Sequence, residues 1–264
     1  MKLSISNIAW DAASDETMYA FLQKKGFHGL EIAPTRIFPV KPYDQLTDAR
    51  NWSVLLKKEY CLEISSMQSI WYGRTENLFT SANERRWLLE YTKKIILFAN
   101  AVKCKNIVFG CPKNRDTDCI EKNYVVAVDF FRELGAYARE YDTVIAIEAN
   151  PIIYHTQFIN TTKEAFLFAQ DCISEGIKVN VDLGAILYNE ENLGILLKYP
   201  HLINHVHISE PFLAPIVDRN LLFSLKTILM DINYEGYVSI EMSKLGIDIV
   251  KDVVSWFMDK WELQ

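Results

Sequence analysis

Glycine is scarce, at 10 in 264 residues, and none falls in the segment NIAWDAAS that follows the first apolar run. An open doubly wound sheet would carry its Gly-rich phosphate loop there, so that architecture is disfavoured. Cysteine is also sparse. The five thiols, Cys61, Cys104, Cys111, Cys119 and Cys172, are odd in number and form no C-x-x-C pair. That excludes a zinc finger or a disulfide frame and predicts reduced thiols in a cytoplasmic protein. Long apolar runs are missing. The most apolar stretch, 95–102, falls far short of the ~20 residues a spanning helix needs. Asn7 and Asp11 interrupt the N-terminal segment before it reaches signal-peptide length. There is no excess of positive charge: 28 Lys+Arg against 34 Asp+Glu leave a net charge of −6. An acidic chain with no dense basic cluster is a poor partner for nucleic acid. Neither membrane nor nucleic acid is therefore expected as a partner.

What is present suits a large enzyme core. Half of the residues are hydrophobic and 23% are charged. Short apolar runs, many rich in Val and Ile, fall at 3–8, 29–33, 62–67, 106–109, 143–148, 178–182, 204–208 and 237–242. Amphipathic segments lie between them at 15–25, 48–59, 83–101, 121–141, 162–172, 193–199, 220–232 and 247–260. Gly26 offers a helix stop, and Thr161 or Thr162 with Glu164 offers a helix start. Eight strand–helix units in a chain of this length predict a single-domain (β/α)8 TIM barrel.

Chemistry in such a barrel sits at the carboxyl ends of the strands. The fifth strand runs TVIAIEANP and reaches Glu148; the sixth, KVNVDLG, reaches Asp182. The seventh, NHVHISEP, reaches His207; the eighth, YVSIEMSK, reaches Glu241. Four consecutive strands thus deliver four metal-competent side chains at one depth, over an arc of roughly 135°. Three carboxylates and an imidazole converging there repel unless a cation joins them. One divalent metal ion is expected. The oxygen-rich set favours Mn or Mg, and Zn, Co or Fe would also be accepted.

These residues carry a resemblance. The chain resembles the xylose-isomerase-like superfamily of sugar isomerases and epimerases across essentially its whole length, nearest to the ketose 3-epimerase branch. Its specific part is the Glu–Asp–His–Glu order on strands five to eight. IEANPIIYHTQFINT and HVHISE are similar to the family's stretches after the fifth strand and on the seventh. The resemblance implies that Glu148 and Glu241 are both metal ligands and the acid/base pair. It implies Asp182 and His207 as the other ligands, and a role in carbohydrate metabolism. Two family positions differ. A histidine three residues after the sixth-strand aspartate is Ala185 here, and an arginine six residues after the metal histidine is Leu213. By this resemblance the metal centre is kept while the substrate clamp is rebuilt. A three-zinc DNA-repair nuclease of the same superfamily needs further histidines, where this chain has Gln68, Gly110, Cys111 and Ala185.

The expected function is isomerisation or epimerisation of a sugar or sugar derivative through an enediolate. A metal-dependent dehydratase of an inosose-like keto-polyol and a non-catalytic sugar-binding barrel are the alternatives. The partner is a small sugar-like molecule, and base rate alone allows a homodimer or tetramer. Around the centre, Trp10, Trp71 and Tyr72 could stack on a sugar face, and Gln68, Asn150 and His155 could reach substrate. Arg74, Arg115 and Lys244 are candidates for a phosphate or carboxylate, Lys244 first among them. Glu31 is placed to support a ligand from behind, His205 to be a hydrogen-bonded interior histidine, and Cys111 to be inert packing near the mouth.

Overall fold

The computed structural model describes residues 1–262. Eight parallel strands close into a barrel in sequence order. They are β1 (Lys2–Ser6), β2 (Gly29–Ile32), β3 (Glu63–Met67), β4 (Ile107–Phe109), β5 (Ile145–Glu148), β6 (Ile177–Asp182), β7 (Ile203–Ile208) and β8 (Tyr237–Ile240). The first strand shows how sequence builds the wall. In KLSIS the apolar Leu3 and Ile5 alternate with Ser4 and Ser6, and all four are buried. Alternation puts the two pairs on opposite faces of the strand.

The lumen is polar, not the packing of Val, Ile and Leu that usually fills such a barrel. Ser4, Ser6, Glu31, Asn180, His205, His207 and Ser239 are all buried. Buried polar groups need partners, and Ser4 finds Ser65 at 2.6 Å while Asn106 Nδ2 donates to Ser66 at 2.9 Å. Gly29 has no side chain for a spatial reason. A Cβ there would lie 2.6 Å from the Tyr237 ring and 2.7 Å from Ser65 Cβ.

The helices are α1 (Asp15–Lys24), α2 (Pro34–Ile37), α3 (Leu46–Tyr60), α4 (Ala82–Ala101), α5 (Ile120–Glu140), α6 (Thr162–Asp171), α7 (Leu183–Tyr188), α8 (Asn220–Asp231) and α9 (Ile247–Glu262). Local chemistry fixes their ends. Gly26 follows α1 with φ +77°. Thr161 and Glu164 form the reciprocal capping box of α6. Ser81 caps α4 by accepting the Glu84 N–H.

Several segments differ from the sequence expectation. Residues 7–8, expected in the first strand, lie in a 3-10 turn, Asn7–Ala9, and α2 was not expected. The amphipathic stretch 193–199 is a 3-10 helix, Leu193–Lys198, capped by Asn192 through the Gly194 N–H and stopped ahead of Pro200. The connection after β6 opens with a separate short helix, α7, whose N-cap is Asp182 itself. Among the described residues, no helix is long and apolar enough to cross a membrane.

Candidate metal centre

Register brings the four strand-end residues to one level. Asp182 pairs with His207, His207 with Ser239, and Glu148 with Asn180. Glu241 lies one residue past β8, yet its N–H still donates to the Ile208 carbonyl at 2.9 Å, so it is held as if the strand continued. The candidate ligand atoms of Glu148, Asp182, His207 and Glu241 all lie within 4.8 Å of one another. His207 Nδ1 is 3.1 Å from Glu148 Oε1, 3.1 Å from Glu241 Oε2 and 3.9 Å from Asp182 Oδ2.

The electrostatics are those of crowded, buried carboxylates. Burial and the charges of Glu148 and Glu241 push Asp182 up to about 7. Burial also raises Glu241, partly offset by His207. Burial alone would lower His207, but Glu31 and Glu241 hold it well above the usual histidine range. Buried like charges favour protonation. A dication between them removes that repulsion, and three carboxylates with one imidazole form a donor set that fits such an ion.

Three of the four candidate ligands, His207, Asp182 and Glu148, are supported from behind. His207 Nε2 lies 2.9 Å from Glu31 Oε2 and His205 Nε2 lies 3.1 Å from the same oxygen. Burial would raise the Glu31 pKa, but the charges and hydrogen bonds of the two histidines hold it below the carboxylate range. An ionised Glu31 accepts, so the proton of a neutral His207 sits on Nε2 and the Nδ1 lone pair faces the carboxylates. Gln68 Nε2 donates to Glu31 Oε1 at 3.0 Å and to Ser6 Oγ at 2.6 Å. Asp182 Oδ1 accepts the Ala185 N–H at 2.6 Å, and Ser209 Oγ donates to Oδ2. Asn180 Nδ2 donates to Glu148 Oε1 at 2.6 Å and lies 3.2 Å from His207 Nδ1.

A cavity of about 170 Å³ opens over Glu148, Asp182 and Glu241. Gln68 and Asn150 line it, as does Cys111, whose thiol burial pushes up to about 12. Leu213 also lines it, so an apolar side chain stands where the resemblance would place an arginine. Trp10, Trp71, His155 and Lys244 are not in its wall. Trp10 is buried with its indole N–H on Asp15 at 2.8 Å, and Trp71 is buried with its N–H on Thr92 at 2.9 Å. Both rings found their polar partner inside the protein, so they pack as core. His155 ends a 3-10 turn in the left-handed region, φ 59°, which turns it to solvent and leaves Tyr154 in the cavity wall. Lys244 is exposed and paired with Asp11 at 2.8 Å.

Arg115 departs from expectation most. It is 0% exposed. Its Nη2 donates to the Glu148 carbonyl at 2.8 Å and to Asn150 Oδ1 at 3.0 Å, and Asn150 Nδ2 reaches Glu148 Oε2 at 3.2 Å. Burial pushes its pKa down to about 10. It is a prop beneath Glu148, not an exposed anion contact. Asn180 and Tyr154 were not singled out from sequence. The signal for Asn180 was its polarity in the middle of the strand KVNVD.

Gly110 supplies a test of this packing. A Cβ there would lie 2.8 Å from Glu148 Oε2 and 3.3 Å from Asn150 Oδ1. The flexible carboxylate can yield, so Gly110→Ala should leave the thermal unfolding midpoint nearly unchanged. Any turnover that depends on Glu148 should nonetheless fall about 10²-fold, because that carboxylate is displaced. Melting and rate measured together on one preparation check this.

The family model described as the xylose isomerase-like TIM barrel matches residues 19–260. The chain belongs to that family. Among solved structures it is similar to a 3-keto-D-glucoside 4-epimerase from E. coli in its apo form. That match has 21% identity and TM-score 0.77, covering 98% of this chain and 99% of the other. It is also similar to a D-psicose 3-epimerase with D-tagatose from Clostridium cellulolyticum H10, at 14% identity and TM-score 0.81, covering 100% and 99%. A third is the IOLI protein with a bound zinc atom, at 16% identity and TM-score 0.70, covering 100% and 96%. Identities this low speak to the fold. No curated protein matches the chain.

Proposed function

We propose that this family member is a divalent-metal-dependent isomerase or epimerase of a sugar or sugar derivative, with Glu148 and Glu241 as its acid/base pair. One observation carries the reading: two glutamates lie at equal distance, 3.1 Å, from the same imidazole nitrogen, within one four-residue donor cluster. Such a cluster is costly to bury and has no use in a purely binding module. The solved epimerases and the zinc-bound neighbour support the class.

Glu148, Asp182, His207 and Glu241 would hold the ion. When bound, it would supply Lewis-acid polarisation of a carbonyl and an adjacent hydroxyl. One glutamate takes the α-proton from substrate and the other returns a proton to carbon. Return to the opposite face of the same carbon inverts that centre. Return to the neighbouring carbon interconverts aldose and ketose. Asn150 and Asn180 hold the two oxygens of Glu148, and Arg115 holds its backbone, so this carboxylate stays aimed while it changes protonation.

The test is solvent exchange in D2O with Mn-reconstituted enzyme and a panel of ketoses, 3-keto sugars and their phosphate esters. Deuterium should enter at one carbon of a turned-over sugar. Loss of water with formation of an enone or diketone chromophore would instead establish the dehydratase. Binding without any exchange would establish the non-catalytic barrel.

A further inference from the structure

The cavity over the metal centre, about 170 Å³, is smaller than the roughly 300–1,000 Å³ of ordinary ligand pockets. Ser69, in the left-handed region at φ 55°, is a wall shared with a second cleft of about 650 Å³ beside the ends of β1, β2 and β3. The second cleft is of ordinary ligand-pocket size by itself, and a substrate held over the four candidate ligands would enter it past Ser69.

The charge of that cleft states what the extension is. Its walls carry Arg36, Lys41, Arg74 and Lys94 against a single acid, Asp44, in a protein whose net charge is −6. Arg36 is taken by Asp15 at 2.7 Å and Lys94 by Asp44 at 2.8 Å. Lys41 and Arg74 have no ion-pair partner among the described residues. Arg74 is nonetheless held in place. Its guanidinium carbon is 5.6 Å from the ring centres of both Trp87 and Tyr91, and those rings stack at 4.8 Å. A guanidinium shelved on aromatic rings with its donors free is preorganised for an oxyanion. The three carboxylates next door outweigh a bound dication by one charge, so that centre does not draw an anion. An asymmetric substrate is therefore oriented by field alone, with its neutral carbonyl end inward and its anionic end outward.

We infer that the cleft of Lys41 and Arg74 binds a phosphate or carboxylate group of the substrate, so that the reacting species is an anionic sugar derivative. The substrate assignment rests on the isomerase or epimerase reading above; the anion site itself does not.

Inorganic phosphate is the probe, titrated by calorimetry at low ionic strength. Wild-type protein should bind it, and Lys41→Ala/Arg74→Ala should bind it about ten-fold more weakly or worse. Lys24→Ala/Lys58→Ala, which removes two exposed cations elsewhere, should bind it as wild type does. Added salt should weaken it. Glu241→Gln, which disables the proposed reaction and leaves the cleft intact, should keep it. No phosphate binding in wild type, or equal binding in the Lys41/Arg74 pair, overturns the inference. Failure of sugar exchange with phosphate binding intact and dependent on Lys41 and Arg74 overturns only the reaction assigned to the neighbouring centre. Source is decided by turnover: a phosphate ester favoured over its parent sugar marks a phosphate, and a sugar acid favoured over it marks a carboxylate.

Discussion

Glu148→Gln and Glu241→Gln should each slow α-proton exchange by about 10³-fold while keeping the fold. General acid–base catalysis by a placed side chain contributes typically about 10²–10⁴-fold. Glutamine keeps an oxygen that can still face the cation, so metal content should fall only modestly. His207→Ala removes a nitrogen donor and should fail in a different way. Its activity should recover in part when metal is raised, whereas that of the glutamine variants should not. Exchange rates measured across a metal titration separate the two behaviours. Recovery of Glu148→Gln at high metal would mean that Glu148 is a ligand and not a proton carrier.

The second large effect belongs to a residue outside the ring. Glu31 is fully buried, holds hydrogen bonds with His207 at 2.9 Å and Gln68 at 3.0 Å, and faces His205 Nε2 at 3.1 Å. Glu31→Ala strands two buried imidazoles and an amide. Losing one partner of a buried charged pair costs about 3–5 kcal/mol, and denaturant unfolding should show a loss of that size. Metal affinity should fall about 10–100-fold as well, because His207 loses the acceptor that fixes its tautomer. Glu31→Gln keeps an acceptor oxygen and should recover most of the stability but little of the affinity. Equal recovery of both would remove the electrostatic role assigned to Glu31.

The barrel and the placement of its four strand-end side chains were legible because they depend on the simplest periodicities. Apolar runs alternate with amphipathic ones, and a polar residue closing a buried strand stands out. The supporting residues were harder to read, for identifiable reasons. Arg115 is a cation that a sequence places in solvent, yet three oxygen acceptors, one at the end of β5 and two on the loop after it, draw it inside. His155 turns to solvent and Tyr154 lines the cavity instead, because one left-handed residue decides which side chain faces it. Trp10 and Trp71 follow strand ends as stacking residues would, but Asp15 and Thr92 satisfy their N–H groups internally. In each case a tertiary partner distant in sequence, or a single backbone dihedral, overrode the local pattern.

The central claim is that Glu148, Asp182, His207 and Glu241 together grip one ion, and elemental analysis tests it most directly. Protein stripped with chelator, reconstituted with Mn and desalted should retain about one equivalent per chain, and His207→Ala treated identically should retain far less. Wild-type protein that emerges without metal, or a His207→Ala variant that holds a full equivalent, would contradict the account.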